Sequence, residues 1–204
     1  GRRASSAESA IEEVREHRAG QARTALANAG VFVGIDEFVI SAISQPRMVV
    51  QIDDKWRGDI ESLQWLRWLR GVDNARVKGS AVRRDVLERV TQIPGLKSLA
   101  IVDGKVDDGT LEPLKEMSRI HSLEFRYVEL TDDQGDQVAS LPIRVSLNLM
   151  GTGISAQKVE SMRSALPGLQ IDHRQGGFLG VTCLDGFDEC AINGVLPNSA
   201  AEEA

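Results

Sequence analysis

The chain has 204 residues, of which 42% are hydrophobic, 26% charged and only 4% aromatic, so it can build one ordinary domain or two small ones around an aliphatic core. A net charge of −6 argues against nucleic acid as the main partner, and no run of about 18 apolar residues exists to span a membrane, so no direct membrane contact is expected. There is no recognisable secretory leader, the chain opens "GRRASSAES" without Met, and it stops mid-pattern, so the expectation is a piece of a longer protein.

Residues 4–29 predict one helix, with Ile11, Val14, Ala22, Ala25, Leu26 and Ala29 as a modest apolar stripe, a kink at Gly20 and a stop at Gly30. "VFVGI" and "EFVISAI" follow, and residues 1–46 together are assigned to a cap over an otherwise exposed apolar edge. Trp65 and Trp68, three apart on one helix face, are assigned to packing against that cap rather than to a binding platform, and Trp56 lies in the same stretch.

An internal repeat then dominates the chain. "SLAIVDGKV" from Ser98, "SLEFRYVEL" from Ser122 and "SLNLMGTGI" from Ser146 start 24 residues apart. Apolar residues recur in columns: Leu99, Leu123, Leu147; Ile101, Phe125, Leu149; Val106, Leu130, Ile154; Leu114, Val138, Met162. Weaker copies start at Asn74 and, shifted by one residue, near Val50 and Ile52, while Ile171 closes the series. Residues two apart share one face of a short strand, and Leu111, Leu114 and Met117 suit a helical stripe. The expected strands lie near 49–53, 75–78, 99–102, 123–126, 147–150 and 170–172, with a helix in each interval. Asp107-Asp108 and Asp132-Asp133, at equivalent positions ahead of helices, are read as helix caps.

The pattern L-x-L-x-x-x-x-[VLI] with this period resembles the leucine-rich repeat family over about residues 49–173, best in "LNLMGTGISAQKVESMRSALPGLQI". Thr152 sits where that family has Asn or Thr, whereas Ser80, Gly104 and Val128 mostly depart from it. The resemblance implies an α/β fold over residues 47–173: a short right-handed solenoid with parallel strands inside and helices outside.

Residues 55–97 carry ten Lys/Arg against five Asp/Glu, and residues 98–145 the reverse, giving a basic end and an acidic middle. In such a solenoid the strand positions between core residues face outward on the concave side: Asn74, Arg76, Lys78; Ser98, Ala100, Val102; Ser122, Glu124, Arg126; Ser146, Asn148, Met150. Arg76, Lys78, Glu124, Arg126 and Asn148 are the candidates for contact with a protein partner there.

Signatures of catalysis are missing: there is no G-x-S-x-G, no H-E-x-x-H and no Gly-rich phosphate loop, so neither an active site nor a cofactor is expected. His17, His121 and His173 lie in separate settings, and Cys183 and Cys190 with His173 are too sparse a set to argue for a metal.

Residues 174–204 change character. "GGFLGVTCLD" from Gly176 and "INGVLPNSAAEEA" from Ile192 resemble the start of a PDZ domain, with Phe178, Leu179, Gly180 and Val181 matching its carboxylate-binding loop and Ser199 with Glu202 matching a capping box. That resemblance implies an incomplete peptide-binding domain; a terminal strand hairpin closing the repeats is the alternative. Thr182-Cys183-Leu184 paired with Cys190-Ala191-Ile192 would bring the two cysteines within disulfide range, a bond that the resemblance does not require. Together the resemblances imply a non-enzymatic protein- or peptide-binding module of a cell-envelope or secreted protein, anchored by an upstream membrane helix. The regulatory region of an envelope serine protease, and a structural spacer, are the alternatives.

Overall fold

The structure is a computed structural model, and it describes residues 2–40, 43–175, 181–183, 192–195 and 201–202. Helix α1 (Arg2–Asn28) leads into an antiparallel pair, β1 (Phe32–Ile40) and β2 (Ile43–Ile52). There follow a 3₁₀ helix (Ile60–Trp68), β3 (Asn74–Lys78), α2 (Arg84–Val90), β4 (Ser98–Val102), α3 (Glu112–Lys115), β5 (Ile120–Arg126), α4 (Asp132–Ala139), β6 (Ile143–Met150), α5 (Ala156–Ala165) and β7 (Gln170–Arg174). The result is an α/β fold: one seven-stranded sheet in the order β1-β2-β3-β4-β5-β6-β7, parallel from β2 onward.

The repeat columns become the register of this sheet. Asn74 pairs with Ser98, Ser98 with Ser122, Ser122 with Ser146 and Ser146 with Gln170, each step spanning 24 residues. At the β2–β3 step Val50 meets Ala75, the one-residue shift expected there. Ala75, Val77, Leu99, Ile101, Leu123, Phe125, Leu147 and Leu149 share one buried cluster with Leu87 of α2, Leu114 of α3, Val138 of α4 and Val159 and Met162 of α5. The helices therefore pack on the face that carries the apolar columns, the arrangement that buries both faces of each unit.

The exits of β3 to β6 turn through the left-handed region. Gly79, Asp103, Tyr127 and Gly151 have φ of 61°, 50°, 53° and 60°, again at the period of the repeat. Two of these corners, Asp103 and Tyr127, carry side chains, which costs of order 1 kcal/mol or more at each.

Three expectations need correction. The strands up to β6 begin earlier than expected, most of all β2, which extends back to Ile43 because it pairs with β1 along its whole length, whereas β7 begins at Gln170 as expected. The first interval holds a 3₁₀ helix and the third only a single turn, α3, so the connections are less regular than the columns. The acidic pairs do not cap helices either. Thr131 caps α4 in a capping box with Gln134, and no side chain caps α3. Asp132 instead accepts from Ser155 N and Oγ, both at 2.8 Å, and so ties α4 to the start of α5.

Helix α1 runs through Gly20 without interruption. Its second half is anchored by apolar burial of Ala19, Ala22 and Leu26, whereas Ile11 and Val14 are 51% and 60% exposed and that part of the helix is tied by Arg70 to Glu12 and Glu16. Gly30 ends the helix at φ 87°, and a side chain there would strike the Lys55 carbonyl oxygen at 2.0 Å. Trp56 is buried, Trp65 and Trp68 are half-buried against the core, and the Arg18 guanidinium lies over the Trp68 ring. Further on, β8 (Val181–Cys183) pairs antiparallel with β9 (Ile192–Val195). The register sets Ile192 opposite Cys183, two residues from the expected Cys190, and Cys190 lies outside the described residues. Among the described residues no helix is long and apolar enough to cross a membrane.

Candidate interaction face

Alternate positions of β3–β6 point away from the helices. There the structure departs from an open concave surface: Asn74, Ser98, Ala100, Val102, Ser122, Glu124, Ser146, Asn148 and Met150 are all buried. Part of the cover is the β1–β2 ribbon. β2 pairs with β3 only from Val49 to Ile52, so among the described residues the ribbon beyond Val49 has no further neighbouring strand. Its distal half curls across the sheet and brings Phe38 into a buried cluster with Val49, Ala100 and Val102.

Arg76 on β3 fastens this contact. Its Nη1 donates to Asp36 Oδ2 at 2.8 Å and to Gln51 Oε1 at 2.7 Å, while Nη2 donates to the Glu37 carbonyl oxygen. The guanidinium also lies 5.6 Å from the Phe38 ring centre, a cation–π distance. Only 17% of the Arg76 side chain is exposed, so these interactions operate largely out of water. Lys78 pairs with Asp103 at 3.3 Å across to the next strand exit.

A second polar group sits on β5 and β6. Arg126 Nε donates to Glu124 Oε1 at 2.7 Å, and the pair lies beside Asn148, the cross-strand neighbour of Glu124. Glu124 is 3% and Asn148 4% exposed, yet Glu124 Oε2 and Asn148 Oδ1 have no hydrogen-bond partner. Two buried acceptors without donors on adjacent strands is an unusual and costly arrangement. Burial pushes the Glu124 carboxyl above its ordinary range, against the opposing pull of the Arg126 and Arg76 guanidinium groups. Below this pair, Ser122 and Ser146 share a hydrogen bond of 2.6 Å.

The candidate residues thus fall into two clusters on one sheet face: Arg76 and Lys78 on β3, and Glu124, Arg126 and Asn148 on β5 and β6. Phe178, Leu179 and Gly180 lie outside the described residues, and Val181 opens β8. Sequence reasoning missed Asp36 and Phe38, because an apolar run ahead of a repeat series reads as a cap. The usable signal was period-two alternation, which places Asp36 and Phe38 on the same side of β1.

Among the described residues no group of three or more His, Cys, Asp or Glu is placed to hold a metal ion. Compared with protein-family models, curated proteins and solved structures, the chain finds no match.

Proposed function

We propose that this chain is a non-enzymatic interaction module: a short leucine-rich-repeat solenoid that docks a protein partner on the sheet face opposite its helices, followed by the start of a PDZ-like peptide-binding segment around Phe178–Val181. The 24-residue register and the left-handed corner after each of four strands support the repeat reading. The observation that carries the binding reading is the polar face itself. It concentrates Arg76, Glu124, Arg126 and Asn148 away from the helices, and Glu124 Oε2 and Asn148 Oδ1 lack partners that an incoming segment can supply once it displaces their cover. A cell-envelope setting belongs to the same proposal and rests on the two family resemblances.

The test is capture from envelope extracts with purified protein, comparing the native sequence with Arg76→Glu/Lys78→Glu. The reversed variant is expected to lose the partner, and capture by the native sequence to weaken as salt rises. Recovery of the same proteins at equal strength by both would exclude this face as the docking surface.

A further inference from the structure

The contact of Arg76 with Asp36, Glu37 and Phe38 closes part of the sheet face. We propose that Asp36-Glu37-Phe38 is an intramolecular stand-in for the partner, and that the partner is an extended acidic protein segment with an aromatic residue two positions after a carboxylate. This rests on the docking reading above and names the chemistry of its occupant.

Three features of the contact specify that chemistry. A carboxylate, Asp36, meets the Arg76 guanidinium at 2.8 Å. A main-chain carbonyl, that of Glu37, takes the other arm of the same guanidinium, so the occupant is extended there. An aromatic ring, Phe38, fills an apolar patch made by Val49, Ala100 and Val102. Those apolar residues stand among polar ones on the side away from the main core, where a ligand anchor would need them. On the same strand Lys78 adds a second cation, paired with Asp103 at 3.3 Å.

The segment is also held in a way that permits displacement. Among the described residues, 36–40 form strand pairs only with 43–47, and those residues of β2 have no partner on β3. A two-stranded ribbon has little stability of its own, so its position depends on the Arg76 and Phe38 contacts that a competitor can replace. Asp36, moreover, is more exposed than Arg76, and so lies on the accessible side of the ion pair.

The probe is a dye-labelled, end-capped peptide VGIDEFV, which copies residues 33–39. It is titrated against the full chain, against Phe38→Ala and Asp36→Asn, and against each combined with Arg76→Glu, with amide exchange of the ribbon followed in parallel. A site occupied from within binds an external ligand more weakly by its vacant fraction, so both single variants are expected to bind at least about tenfold tighter than the native chain. Arg76→Glu is expected to abolish the gain, as is replacing the acidic residues of the peptide by their amides. Asp36→Asn keeps the buried ring and so remains informative if Phe38→Ala does not fold. Equal, Arg76-dependent binding by native and variant chains would overturn the stand-in while leaving the docking face. No binding by any chain, with exchange showing the ribbon open, would overturn both. Ribbon amides that exchange no faster in either variant would overturn the displaceable contact.

Discussion

Leu123 and Glu124 are neighbours in sequence and opposites in chemistry. Leu123 has no exposed surface and sits in the main core, so Leu123→Ala is expected to cost about 2–5 kcal/mol in urea melts. Its column was legible because period-two spacing repeated every 24 residues admits one inward face. Glu124, one residue on, was legible as belonging to the opposite face but not as buried. Alternation tells which side a residue is on; what lies over that side is decided by chain far away in sequence. The burial has a consequence in pH. The folded carboxyl is raised, so the native state holds its proton more tightly than the unfolded chain does. Stability from this group is therefore complete below the ordinary Glu range and declines as pH rises toward the folded value. Glu124→Gln is expected to remove that decline, read as the difference between the two proteins in denaturant melts across the acidic range. Identical pH profiles would show that Glu124 ionises in the folded state as it does in water.

At the scale of elements, the helices are held by side chains that reach between units. Gln134 accepts from Thr131 N at 2.9 Å to complete the capping box of α4, and its Nε2 donates to the Val106 carbonyl oxygen of the preceding unit at 2.7 Å. Thr131→Ala is accordingly expected to cost about 1 kcal/mol in thermal or urea melts and to speed exchange of the first amides of α4. Asp132 reaches the other way, to Ser155, and those two hydrogen bonds hold its carboxyl below its ordinary value. The same device recurs earlier, where Asp54 accepts from Ser80 Oγ at 2.9 Å. The acidic pairs were read as helix caps, but a cap and a tie to the next unit need the same residue types. The sequence alone does not separate them, because the acceptor's partner lies 23 residues away and is found only once the strands are in register. Helix type was equally hidden: an apolar triplet at spacing three fits both the single turn of α3 and a full helix.

For the whole molecule, what the sequence showed was the series of strands and the core they share, and what it did not show was the ribbon folded over the other face. The first is written in a repeat; the second depends on one arginine, one phenylalanine and the absence of a neighbour for half of β2. The evenly spaced corners at Gly79, Asp103, Tyr127 and Gly151 have a different kind of consequence. If these four exits turn alike and β3 to β7 each meet the next strand at the same offset, the number of units between them is adjustable by whole copies. Excising Asp103–Arg126 joins Val102 to Tyr127, which takes over the left-handed corner, and leaves β4 to pair with β6 with Leu99 opposite Leu147. That shortened chain is expected to unfold cooperatively at a somewhat lower temperature, with β-sheet circular dichroism retained. Excising half a period from the same point leaves strand and corner out of phase and is expected to abolish the transition. Should both shortened chains melt alike, the corners do not set the phase, and growth by duplication of this unit would have had to proceed through some other joint.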